Sequence, residues 1–229
     1  MKKNFLTNVM FGLSPLFVSF SVNAGMMHEP WVGQVLFDKF ETNAEQGSDI
    51  HWEMDAKLYQ NISGFIWKSE GERAHGDTES ENRLLYSKGF KPYWDWQVGV
   101  GFDTGDSSNQ WGVVGVSGMA PYFFETEAHL WVNSDGALFK ASAEREYLIT
   151  QRLMWAPEIE VTLASTDLPD AGVGAGLSSM KLGLRLRYEF SRKFAPYAGM
   201  EWHRNFGDTA DLVGSNSDTQ AVLGVRFWF

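Results

Sequence analysis

Apolar and polar side chains alternate with a period of two along most of the chain after residue 30. Between Trp94 and Asp103 one face reads Trp94, Trp96, Val98, Val100 and Phe102; the other reads Asp95, Gln97, Gly99, Gly101 and Asp103. Successive side chains of a strand point to opposite sides, so this segment shows one face to an apolar medium and the other to water. The pattern recurs in 50–58, 122–130 and 182–188, and in the closing residues, where Leu223, Val225, Phe227 and Phe229 alternate with Gly224, Arg226 and Trp228. It predicts about twelve strands, near 31–41, 50–59, 63–72, 79–88, 94–103, 111–119, 122–132, 137–147, 153–164, 178–190, 196–206 and 219–229. Eight or ten longer strands are the alternative. Register is weakly specified in 31–41 and in 111–119, and Pro157 inside a strand marks a bulge or a strand start.

Two architectures share this alternation: a soluble sandwich with one wet face and a membrane-spanning barrel. Three features favour the barrel. Aromatic residues gather near strand ends (Trp31, Trp94, Trp96, Trp111, Tyr122, Trp155, Tyr188, Tyr197, Trp228), as interfacial girdles do. Several strands carry three or four charges on one face, which suits a hydrated lumen. The chain closes with a strand ending in Phe229. Connections also alternate between short turns and longer loops rich in Gly, Ser, Asp and Asn, the longer ones being 42–48, 73–78, 104–110, 165–176 and 207–218. The expected fold is an all-β, transmembrane antiparallel barrel over 31–229 with both termini periplasmic.

Residues 1–24 read as a secretory signal peptide: Lys2 and Lys3, an apolar stretch from Phe5 to Phe20, then Val22-Asn23-Ala24 as a cleavage site. Residues 25–30 are then a short periplasmic tail, and export to the bacterial outer membrane, in contact with its lipid, is expected. No later stretch approaches the ~18 apolar residues of a spanning helix. The 229 residues include 19 Lys+Arg against 29 Asp+Glu, a formal charge of −10 that argues against nucleic acid as a partner. The chain has no cysteine, which leaves Met, His and carboxylates as its side-chain metal ligands.

Several segments resemble the barrel of the copper resistance protein B family: Pro92-Tyr93-Trp94-Asp95-Trp96-Gln97-Val98-Gly99-Val100, Ala120-Pro121-Tyr122-Phe123-Phe124-Glu125, Leu148-Ile149-Thr150-Gln151-Arg152-Leu153 and Gly183-Leu184-Arg185-Leu186-Arg187-Tyr188-Glu189. Phe206-Gly207-Asp208-Thr209-Ala210-Asp211 and Gly224-Val225-Arg226-Phe227-Trp228-Phe229 extend the match to the end of the chain. The resemblance implies an outer-membrane barrel that handles copper, partnered by a periplasmic multicopper oxidase or copper carrier. Many members carry a long Met/His-rich segment before the barrel; here the stretch is Gly25-Met26-Met27-His28-Glu29-Pro30.

Candidate copper ligands fall in two places. Met26, Met27 and His28 cluster in the tail, where thioethers favour Cu(I). By strand parity the lumen receives His51, His129 and His203 with Glu127, Glu201 and Met154, and imidazole beside carboxylate suits Cu(II). The acidic surplus among inward residues predicts a lumen that attracts cations, while most of Arg185, Arg187 and Arg226 should pair with carboxylates. His75 falls in a loop. No segment sets a nucleophile beside its base in a recognisable catalytic arrangement, and Ala171 to Gly176 lacks the Lys-Ser/Thr of a phosphate loop, so no enzyme is expected. The competing reading is a small cation-preferring pore or structural barrel without specific copper binding.

Overall fold

The computed structural model describes residues 29–44, 49–74, 77–105 and 109–229. The expected signal peptide, Met26, Met27, His28 and His75 lie outside the described residues. The described chain is almost all strand: β1 (Val32–Asn43), β2 (Ile50–Gln60), β3 (Ser63–Ala74), β4 (Asp77–Lys91), β5 (Trp94–Thr104), β6 (Gln110–Ala120), β7 (Phe124–Val132), β8 (Ala137–Glu144), β9 (Tyr147–Leu148), β10 (Leu153–Ala164), β11 (Gly176–Tyr188), β12 (Phe194–Asn205) and β13 (Ser217–Trp228). Each pairs antiparallel with its neighbours, and β13 pairs with β1, so the sheet closes. Closure leaves no unpaired edge, which a bilayer requires because lipid cannot hydrogen-bond a free backbone group.

β8 and β9 are two parts of one stave, both laid against β10, so the barrel has twelve staves, as the alternation predicted. The break at Arg145–Glu146 lies beside Pro157, which pairs with Leu184 of β11 on its other side. Proline has no N–H to give the ladder, and the stave opens where that donor is missing.

Leu182, Leu184, Leu186, Val98, Val100, Phe65 and Trp67 point outward as an apolar belt. The turns at 61–62, 92–93, 121–123, 149–152 and 189–193 and both ends of the barrel segment sit at one rim, the turn end. The long connections after β10 and β12, with the tight turn at 133–136, sit at the other, the loop end. The β3–β4 hairpin stands taller than its expected loop at 73–78, since the strands continue to Ala74 and from Asp77.

The least certain register is decided by a bulge. Phe37 pairs with Met54 and Lys39 with Glu53, so Asp38 is an extra residue in β1. Without it, simple alternation from outward Phe37 would turn Lys39 and Glu41 to lipid and Phe40 to the lumen. With it, Lys39 and Glu41 are buried inside and Phe40 stays outside. Two aromatics expected in the girdles are also interior: Trp111 is 4% exposed and Tyr197 5%. Glycines on nearby strands make room for interior rings. The six-membered ring of Trp131 lies where a Cβ on Gly101 would stand, and the ring of Tyr197 lies over Gly224.

The lumen carries an apolar cluster of Ile66, Leu85, Trp111, Val113, Trp131, Leu138, Ala164 and Leu168, which rises to the loop end at Trp111, Leu138, Ala164 and Leu168. Leu168 belongs to the loop after β10, which folds inward and closes on itself through bonds between Leu168 and Val173. A short helix, α1 (Gly207–Val213), lies in the loop after β12. The two loops are fastened together where Gly174 N–H donates to Thr209 Oγ1 at 2.8 Å, and Ser178 Oγ braces the first loop by donating to Gly174 O at 2.7 Å.

Candidate functional site

The middle of the lumen is filled by ion pairs that run as chords between distant staves. Arg185 of β11 donates to Glu41 of β1 (2.8 and 3.1 Å), Glu158 of β10 (2.7 Å) and Glu201 of β12 (2.8 Å). Tyr197 Oη donates to Glu41 Oε2 at 2.9 Å. Lys39 bridges Glu158 at 2.6 Å and Glu53 at 3.0 Å. Lys68 pairs with Glu127, and Lys140 with Glu81. Such groups are tolerable away from water because each charge is matched and hydrogen-bonded. Among the described residues, nine cationic side chains and twelve carboxylates take part. The expected pairing of Arg185, Arg187 and Arg226 is therefore present. Lys39, Lys68 and Lys140 add to these arginines, so the mid-lumen is close to balanced.

The negative surplus lies above, at the loop end. A cavity of about 700 Å³ opens there, walled on one side by Trp111, Trp131, Leu138, Ala171 and Val173. Around it stand Glu41, Asp49, Glu70, Glu72, Glu79, Glu81, Asp103, Glu160 and Glu201, with two lysines, Lys140 and Lys181. His51 and His203 also line it. An acidic, partly enclosed mouth concentrates cations by focusing the field of its carboxylates.

The structure sorts the expected ligands by height. His51 reaches toward Glu41 (Nδ1 to Oε1, 3.7 Å) and Glu70 (Nε2 to Oε1, 3.9 Å). His203 stands opposite Lys181 and Asp218 in the ladder, and Glu201 enters the cavity two residues below while its carboxylate binds Arg185. His129 is elsewhere: it is 2% exposed, and its Nε2 lies 2.7 Å from Gln97 Oε1. Glu127 is held by Lys68 and receives a longer bond from Ser117 Oγ at 3.4 Å. Met154 is buried near the turn end, opposite Arg187. His51 and His203 thus share one cavity, while His129, Glu127 and Met154 lie away from it. Among the described residues, no three His, Asp or Glu side chains converge as a ready-made metal site. The cavity offers donors around a volume, with imidazole and carboxylate suited to Cu(II).

The family profile of the copper resistance protein B precursor matches residues 31–229, the whole barrel. The chain belongs to the copper resistance protein B family. It is 37% identical over 203 residues to copper resistance protein B of Escherichia coli, covering 85% of this chain and 69% of that one. A copper resistance protein B homolog from Pseudomonas syringae pv. tomato is 33% identical over 200 residues, covering 84% and 68%. Among solved structures, NanC porin matches with a TM-score of 0.55 at 12% identity, covering 86% of this chain and 99% of that one. KdgM porin matches with a TM-score of 0.50 at 13% identity and the same coverage. At these identities the porins share the barrel and nothing finer.

Proposed function

We propose that this barrel sits in the outer membrane, gathers copper ions in its loop-end cavity and takes part in their transport or sequestration there. The observation that carries this reading is the placement of His51 and His203 in one acidic cavity, within a family linked to copper resistance. With the termini periplasmic, as is usual for such barrels, this cavity faces the exterior. Met26, Met27 and His28, ahead of the first strand, are a second candidate position, on the periplasmic side, where a multicopper oxidase or copper carrier would exchange copper. The chemistry is coordination and release, without catalysis by the barrel itself.

The tests are the copper tolerance of a deletion strain and the copper retained by purified barrel. Reduced tolerance, with Cu(II) retention that falls in His51→Ala/His203→Ala, is the expected result. Normal tolerance with no copper retained would overturn the reading. A second reading, a cation-preferring or purely structural barrel, draws on the charge-matched mid-lumen and the lack of a converged ligand set among the described residues. It predicts ion-independent behaviour of the His51/His203 variant.

A further inference from the structure

Lys181, like Arg83, is held more loosely than the other lumen cations. Lys39 and Arg185 sit 2.6–2.8 Å from carboxylate oxygens and hydrogen-bond to them. Lys181 Nζ lies 3.7 Å from Glu160 Oε2 and 3.8 Å from Glu70 Oε1, too far for a hydrogen bond to either. Glu70 is loosely held in turn: its other neighbours are His51 Nε2 at 3.9 Å and Arg83 Nη2 at 3.8 Å. Every contact in this group is an ion-pair approach of 3.7–3.9 Å, beyond hydrogen-bond length. The ammonium lies between carboxylates of β3 and β10, and β3 stands five staves from β11 around the twelve-stave ring. Lys181 therefore reaches nearly across the barrel. It does so at the cavity floor, with Glu70, Glu160, Glu201, His51 and His203 on the cavity wall around it.

A cation is thus already present where the acidic cavity meets the balanced mid-lumen, and the chain supplies it. We propose that Lys181 is a tethered counter-cation: it occupies the floor position that an incoming divalent metal ion takes, and the metal enters by displacing it. The proposal rests on the copper reading of the cavity and deepens it. Two consequences follow from charge alone. The ammonium repels a divalent ion at close range and offsets part of the carboxylate attraction, so it holds affinity down and favours release. It also keeps Glu70 and Glu160 compensated when no metal is bound. Lysine suits this role because its compact ammonium rides on a flexible stem and exchanges partners easily, whereas an arginine fork at this range would fix itself to one carboxylate.

The test titrates Cu(II) alone into the purified, full-length barrel in detergent, reading quenching of tryptophan fluorescence and heat. Wild type is compared with Lys181→Gln, with Lys193→Gln at the turn end as a charge control, and with His51→Ala/His203→Ala. Lys181→Gln should bind Cu(II) about tenfold tighter or more, while Lys193→Gln stays at the wild-type affinity. Unchanged or weaker binding by Lys181→Gln overturns the proposal. If the histidine variant still loses binding in that case, the copper reading survives. If the histidine variant binds as wild type does, the copper reading fails as well. A measurement on wild type guards against misassembly of the variant: labelling of Lys181 by an amine-acylating reagent, followed by peptide mass spectrometry. Cu(II) should raise that labelling several-fold by freeing the ammonium. Labelling that is unchanged or reduced by Cu(II) overturns the displacement step directly.

Discussion

Arg185 and Glu41, 144 positions apart in sequence, meet as a two-pronged pair, Nε to Oε2 at 3.1 Å and Nη2 to Oε1 at 2.8 Å. Both side chains are 3% exposed. The pair spans the seam side of the barrel, from β11 across β12 and β13 to β1, and the same guanidinium also holds Glu158 and Glu201. Closing the barrel therefore brings together charges that are matched only in the closed state.

Replacing Arg185 by Met strands Glu41 in a water-poor interior and leaves Glu158 to Lys39 alone, a loss of about 3–5 kcal/mol for a buried pair broken on one side. Urea unfolding in detergent micelles, followed by tryptophan fluorescence, should show a midpoint well below wild type. A change under about 1 kcal/mol, typical of an exposed pair, would contradict the burial argument.

The ion-pair chords obstruct the lumen, so the wild-type barrel should pass little current in a planar lipid bilayer. Lys39→Ser/Arg185→Ser removes two crossing side chains and leaves their carboxylates, and it should raise conductance several-fold with cation preference. Equal conductance in both proteins would show that the chords do not set the passage.

A side chain at Gly101 would meet the ring of Trp131. Gly101→Val should cost about 1–3 kcal/mol by overpacking and shift tryptophan emission, whereas Gly172→Ala, in an open loop position, should leave the emission alone. Identical emission spectra for Gly101→Val and wild type would argue against that contact.

Phe229 closes the seam through its backbone, donating to Val35 O at 2.9 Å and accepting from Val35 N–H at 3.3 Å. Its ring packs edge-on against Phe227, 5.8 Å between centroids. Phe229→Asp puts a charge where the last turn of this strand meets lipid, and the fraction of folded, heat-modifiable barrel in membranes should fall. Wild-type levels would count against a role for this residue in assembly.

His129 is sealed against Gln97, so His129→Ala should leave Cu(II) binding near the wild-type value while the His51/His203 variant loses it. Loss of binding in His129→Ala with an intact thermal unfolding profile would place copper deeper than the loop-end cavity.

The period of two determined the strands and, with the strand-end aromatics and the charged inner faces, pointed to a barrel of about twelve, because each stave carries its own apolar-out, polar-in alternation. Closure fixed the number at twelve. The family was legible for the same reason, since the segments that carry it are these staves and their turns. Parity also placed His51, His129 and His203 inside, but it assigns a face and not a height or a partner. Only the closed structure raised His51 and His203 to one cavity, sank His129 against Gln97, and sent Lys181 nearly across the ring to Glu70. One extra residue at Asp38 turned Lys39 and Glu41 inward, which alternation alone would have reversed. Trp111 and Tyr197 read as girdle residues because strand-end aromatics usually are, yet carboxylate partners, Asp103 and Glu41, and for Tyr197 the open seat at Gly224, drew them inside. Local alternation is a property of each strand by itself; the charge balance of the lumen is a property of chords between strands far apart in sequence, and those exist only once the ring is shut.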